Sequence, residues 1–162
     1  MKEIMFEGNY LKVTVEDGIE RVYLRGSVHT FLITEDNKIR LTLERRLGSD
    51  ELREKIQGGI VETNEAPLAT AKRELYEELG MEAGEWEEFL IQDSSGAVND
   101  TRHYYIAKGL CKVTDEIDGE IIETKDYTLK ELYEKAMNGQ FSPMTQAAIA
   151  RLHFSLSEGL EL

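Results

Sequence analysis

A chain of 162 residues is the size of one domain and long enough to bury a sizeable core. Its 32 acidic against 19 basic side chains leave a formal charge of −13, which argues against broad contact with nucleic-acid backbones, a mode driven by Lys and Arg neutralising phosphates. There is no secretory signal, no apolar run of membrane-spanning length and a single cysteine, Cys111, so the expectation is a soluble protein of the reducing cytoplasm with no membrane partner.

Residues 10–15 alternate in strand fashion, Asp17-Gly18 is a hairpin signal and residues 19–25 answer it, which predicts an N-terminal antiparallel β-hairpin. Residues 27–34 and 38–45 read as two strands joined by the turn residues Glu35, Asp36 and Asn37, and residues 54–57 as a short strand entering Gly58 and Gly59. A helix follows over residues 65–79: Asn64 supplies an N-cap oxygen, Pro67 suits the first turn and Gly80 is placed to end it in a left-handed conformation. Leu68, Ala71, Leu75 and Leu79 form one apolar stripe that can pack on a sheet. Strands at 86–93, 102–108 and 121–127, a helix over 129–138 closed by Gly139, and a last helix from Ser142-Pro143 to Leu156 complete an α+β layout without linkers, repeats or low-complexity tracts.

The other face of the first helix carries Glu74, Glu77 and Glu78. Glu74 and Glu78 are one turn apart, where like charges cost about 0.2–0.5 kcal/mol in an isolated helix. Glu77 and Glu78 also sit in the last turn, where the macrodipole disfavours carboxylates. Violations of local rules concentrate at functional sites, and clustered carboxylates suit a hard divalent cation such as Mg²⁺. Gly58 and Gly59 allow close backbone approach, and Glu65, eight residues before Arg73, can pair with it through the loop. The plainer alternative is a solvated acidic face in an acidic chain.

The pattern G-x5-E-x7-R-E-hydrophobic-x-E-E-x-G-hydrophobic, met by Gly59, Glu65, Arg73, Glu74, Leu75, Glu77, Glu78, Gly80 and Met81 without a gap, resembles the Nudix box. The box spans 23 residues, and the flanking segments resemble the family as well. The resemblance implies a hydrolase that cleaves a diphosphate linked to another moiety, using Mg²⁺ or Mn²⁺, on an α/β/α sandwich with a mixed sheet. The expected organisation is a single domain over 1–162, with 1–26 as the hairpin extension and 27–162 as the catalytic core. By the same resemblance Glu74 and Glu78 are the principal metal ligands, Glu77 joins the cluster, and Gly58 offers its carbonyl. Arg73 and Glu65 orient the glutamates, while Gly59 and Gly80 are structural.

A hairpin ahead of the core and two helices after it resemble the ADP-ribose pyrophosphatase branch, in which N-terminal strands help build a homodimer; a hairpin too small to be stable alone agrees with that. Residues 94–100 resemble the branch's S-P-G-x-x-x-E element with two departures, Ser95 for proline and Asp100 for glutamate. The resemblance implies a nucleoside diphosphate derivative as substrate, and because the proline is part of what marks ADP-ribose specificity, a nucleotide sugar stands beside ADP-ribose. The branch's catalytic base lies on an acidic loop before a late strand. Glu120 is the first candidate here and Glu116 the second, with Asp118 and Glu123 in the same charge run.

Arg45, Arg46 and Arg102 could fork onto a phosphate or terminal ribose, and Asp100 is grouped with them. His29, His103 and His153 are expected to be structural, and Trp86, Tyr104 and Tyr105 to serve packing. Other readings are sanitation of nucleoside triphosphates, removal of RNA 5′ diphosphates, isoprenyl diphosphate isomerisation, and a non-catalytic nucleotide sensor. Isomerisation wants a catalytic cysteine, and Cys111 lacks such a setting. An intact acidic cluster favours turnover over sensing.

Overall fold

The computed structural model describes residues 2–45, 49–117 and 121–157. Nine strands and three helices lie among them: β1 (Lys2–Glu7), β2 (Leu11–Glu16), β3 (Ile19–Leu24), β4 (Ser27–Ile33), β5 (Ile39–Arg45), β6 (Leu52–Lys55), α1 (Pro67–Leu79), β7 (Met81–Ser94), β8 (Val98–Lys112), β9 (Ile121–Tyr127), α2 (Leu129–Met137) and α3 (Pro143–Ser157). The sheet runs β1-β2-β3-β8-β4-β5-β6, with β7 also on β8 and β9 also on β5.

Strands β4 and β8 form its centre, paired in parallel from Ser27↔Arg102 to Leu32↔Ala107. Their side chains alternate between the two faces, and both faces are covered, so residues 31–33 of β4 and 104–107 of β8 read as unbroken apolar runs. Val28, Leu32, Tyr105 and Ala107 meet Ala71, Leu75 and Leu79 of α1. Phe31, Tyr104 and Ile106 meet Leu132 and Ala136 of α2 and Ala148, Ile149 and Leu152 of α3. The result is a mixed sheet between helical layers in the α+β class, as the sequence implied.

Several expectations need correction. The N-terminal hairpin is a three-stranded meander, because Lys2–Glu7 pairs antiparallel with β2; every residue of β1 is exposed, so no alternation of buried and polar positions marked it as a strand. Strands β7 and β8 form one long ladder from Met81↔Lys112 to Ser94↔Asp100, so the loop foreseen over 94–100 shrinks to Ser95–Ala97 and Asp100 is a strand residue. The short strand before the glycines is Leu52–Lys55 rather than 54–57. Asn64 is not the cap of α1: that position is Ala66, without a side-chain cap, and Asn64 sits at φ 68° in the preceding turn. Leu68 is 37% exposed, which leaves Ala71, Leu75 and Leu79 as the buried stripe. Among the described residues no helix is long and apolar enough to cross a membrane.

Candidate active site

Beside Ser27–Thr30, the edge of β4 that β5 leaves unpaired is taken by the glycine loop. Thr30 N–H donates to the Gln57 carbonyl at 2.7 Å and Val28 N–H to the Gly59 carbonyl at 2.9 Å. At Gly58, φ is 154° and a Cβ would stand 2.0 Å from the Val28 carbonyl oxygen, so only glycine fits this close approach. At Gly59 a Cβ would stand 2.2 Å from the Glu74 carboxylate. The glycine pair therefore lets backbone lie against both the sheet and the acidic face of α1.

Arg73 organises that face. Its Nε and Nη2 donate to the two oxygens of Glu65 at 3.0 and 3.1 Å, and its Nη1 to Glu77 Oε2 at 2.7 Å. The same Nη1 lies 2.9 Å from Glu74 Oε1. Arg73 and then the Thr70 hydroxyl hold the Glu65 carboxyl down at about 2. The predicted pairing of Glu65 with Arg73 thus ties the loop to the helix. Gly80 ends α1 at φ 62°, and its carbonyl accepts from Val113 and Thr114, anchoring the segment after β8.

Glu78 is buried at 7% exposure. Its Oε2 accepts from Gln57 Nε2 at 3.0 Å, and the Lys55 ammonium lies 3.6 Å from Oε1. Burial pushes its carboxyl up to about 6 despite those partners, and burial likewise raises Glu74. A third carboxylate, Glu44 on β5, is buried at 8% and lies 2.8 Å from Lys55 Nζ. These groups border an open cleft of about 1110 Å³ whose walls include Gly58, Gly59, Arg73, Glu74, Glu78, Glu44, Arg45, Arg53, Lys55 and Ile122, with Asn9, Tyr10 and Arg25 from the N-terminal meander.

The sequence-predicted residues distribute unevenly around this cleft. Glu74, Glu78, Gly58, Gly59, Arg73 and Arg45 line it, although Arg45 also pairs with Asp50 at 2.9 Å. Glu77 does not line it, because Arg73 draws its carboxylate away. Asp100 and Arg102 are brought to each other at 2.7 Å, not to the cleft; Arg102 lines a separate cavity of about 290 Å³ with His29 and Thr145. Glu116 is exposed and borders no part of the cleft. Arg46, Asp118 and Glu120 lie outside the described residues, and Glu123 borders a different cavity beside Arg40 and Lys112. His29 stacks on the buried Tyr104, His103 pairs with Glu88, and Tyr105 meets Trp86 edge-on. Cys111 is exposed on β8.

Sequence reasoning missed Glu44, Lys55 and Gln57. Each sits on or just after a strand whose partner was not legible: Lys55 reaches Glu44 only because β5 and β6 pair in the register Thr42↔Lys55 and Glu44↔Arg53. The signal that could have exposed them is charge at strand positions next to the glycine pair. Among the described residues no three acidic, histidine or cysteine side chains stand in ligating arrangement. Arg73, Lys55 and Gln57 already engage the carboxylates of Glu74, Glu44 and Glu78. The donors still fit a hard cation, since three carboxylates and a glycine backbone border one cleft and Gln57 Oε1 is buried without a hydrogen-bond partner.

Known proteins are similar to this chain in sequence and in fold. The chain is 30% identical over 173 residues to the methanol dehydrogenase activator of Bacillus methanolicus, covering 98% of this chain and 92% of that protein. It is 26% identical over 150 residues to the CMP-5'-(N-acetyl-N-hydroxy-3-aminopropyl)phosphonate hydrolase of Streptomyces rubellomurinus, covering 86% and 73%. The crystal structure of an ADP compounds hydrolase superposes with a TM-score of 0.72 at 17% identity, over 99% of this chain and 95% of that one. The family model of the NUDIX domain matches residues 23–147, a span that contains the whole glycine loop, α1 and most of the sheet. On that match this protein belongs to the Nudix family and is a hydrolase.

Proposed function

We propose that the protein hydrolyses the diphosphate bond of a nucleoside diphosphate derivative, ADP-ribose or a nucleotide sugar, with Mg²⁺ or Mn²⁺, releasing a nucleoside monophosphate and a phosphorylated moiety. The observation that carries this reading is the convergence of Glu44, Glu74 and Glu78 on one cleft beside the glycine pair. Nudix hydrolases use divalent metal ions. In this chain Glu74, Glu78 and the Gly58 carbonyl are the proposed ligands, with Glu77 assigned no more than a bond to Arg73. Such an ion supplies Lewis-acid stabilisation of phosphate charge and a more acidic bound water.

The residues of the chain have separable tasks. Buried carboxylates repel a diphosphate until neutralised, so substrate and cation enter together. Arg25, Arg45 and Arg53 at the cleft provide forks for phosphate oxygens, and Tyr10, 64% exposed there, offers a ring for a base to stack on. Glu120 is the proposed general base; Ile122, two residues later, borders the cleft, whereas Glu116 does not. A nucleoside diphosphate class is supported by two relatives whose names carry a nucleotide, an ADP compounds hydrolase and a CMP phosphonate hydrolase.

The test is a panel assay with Mg²⁺ and Mn²⁺ against ADP-ribose, nucleotide sugars, dinucleoside polyphosphates and nucleoside triphosphates. Glu78→Gln should lower kcat by about 10²-fold or more, equivalent to roughly 2.7 kcal/mol of transition-state stabilisation. Glu120→Gln should lower kcat far more than it raises KM. Wild-type turnover in Glu78→Gln would remove the ligand assignment, and preference for triphosphates would move the substrate class.

A further inference from the structure

Lys55, which lies outside the box, reaches two carboxylates of the acidic cluster as a cation. Its ammonium lies 2.8 Å from Glu44 Oε2 and 3.6 Å from Glu78 Oε1, and its side chain is only 25% exposed. Set between these two carboxylates, the ammonium is placed to neutralise both. Three half-buried or buried carboxylates on one wall would otherwise destabilise the fold by mutual repulsion.

Resting on the metal-dependent reading above, we propose that Lys55 is a resident counter-cation that holds Glu44 and Glu78 in the metal-free protein, competes there with the divalent ion, and passes to the substrate's phosphate oxygens when displaced. Lys55 has room to move. It borders both the main cleft and the smaller cavity lined by His29, Arg102 and Thr145, so its flexible four-carbon stem adjoins open space on two sides. Arg53, 3.6 Å from Glu44 Oε1 and 58% exposed, is a weaker counter-cation, because it is more solvated than Lys55 and its ion pair is with Glu44 rather than with both carboxylates. Lys55 is on this account a positioning residue in the resting protein and a phosphate contact in the loaded one. It would make metal and substrate binding mutually reinforcing, since the cation frees the ammonium and the diphosphate then accepts it.

The two roles give effects of opposite sign, which a merely structural lysine would not. Calorimetric titration of the substrate-free full chain with Mn²⁺ should show Lys55→Met binding at least about tenfold more tightly than wild type, with Lys55→Arg close to wild type. The metal-free Lys55→Met protein should melt at lower temperature and regain the difference on Mn²⁺ saturation. At saturating Mn²⁺ its KM for the best substrate in the panel should rise about tenfold. Equal or weaker Mn²⁺ affinity in folded Lys55→Met overturns the competition, and an unchanged KM overturns the hand-over. Should the variant fail to fold, the wild-type protein decides: Mg²⁺ should move the Lys55 Nζ resonance in ¹⁵N spectra, and an unmoved resonance overturns the proposal. Absence of Mn²⁺ binding to wild type and variant alike would instead remove the metal-dependent reading together with this one.

Discussion

His29 has an acid-stability consequence separate from the chemistry. Its ring stacks on Tyr104 with centroids 5.0 Å apart and Ser27 Oγ within 3.2 Å of Nε2. Burial, then Arg102 and Lys55, push its pKa down to about 3. The folded state therefore refuses a proton that the unfolded chain takes near 6.5, so the residue's contribution to stability is whole above that value and is lost as pH falls toward 3, at no more than about 1.4 kcal/mol per pH unit. Glu78, raised to about 6, acts in the opposite sense below that pH. His29→Phe keeps the stack and removes the titration. Urea unfolding at pH 7 and pH 4.5 should show wild type losing more stability than His29→Phe; equal losses would assign the acid sensitivity to other groups. Residue identity places a histidine on a strand, but its neutrality follows from tertiary burial first and then from the two cations brought beside it.

At the scale of elements, the glycine loop and α1 act as one device, since Arg73 clasps Glu65 and the helix carboxylates at once. Two substitutions separate its parts. Gly59→Ala would place a Cβ against the far end of the Glu74 side chain, which can swing away, so the fold should survive while kcat falls by about 10²-fold. Gly58→Ala meets the backbone carbonyl of Val28, which cannot move, so it should cost about 2–4 kcal/mol of stability. Thermal melts beside kinetics distinguish the two outcomes, and a reversed pattern would mean the loop does not rest on β4 as described. The helix, its glycine terminator and its acidic face were legible because they are local in sequence. Its start was not: Asn64 has the right chemistry for a cap, but the loop turns back there to deliver Glu65 to Arg73.

Over the whole molecule, the N-terminal meander joins the core through a short parallel pairing, Val22↔Val98 and Tyr23↔Asn99, yet delivers Asn9, Tyr10 and Arg25 to the cleft. It also leaves Ile4, Met5 and Phe6 on β1 exposed at 51, 60 and 55%. An open strand edge with large apolar side chains is costly to leave in water, and the homodimer proposed from the family resemblance would cover it. Light scattering should give a dimer mass at micromolar concentration, and Ile4→Lys with Phe6→Lys should shift it to monomer. A monomeric wild type would return the meander to a purely cleft-lining role.

The sequence by itself determined the family, the α+β layout and the acidic face of α1, because a box of fixed spacing on one loop and one helix depends only on local geometry. Tertiary structure alone decided which further groups join them. Glu44, Lys55 and Gln57 meet Glu78 through strand register, and Asp100 and Arg102 leave the cleft because the β7–β8 ladder extends past the expected loop. Register is a contest between distant segments for the same hydrogen bonds, and no window of neighbouring residues contains its outcome.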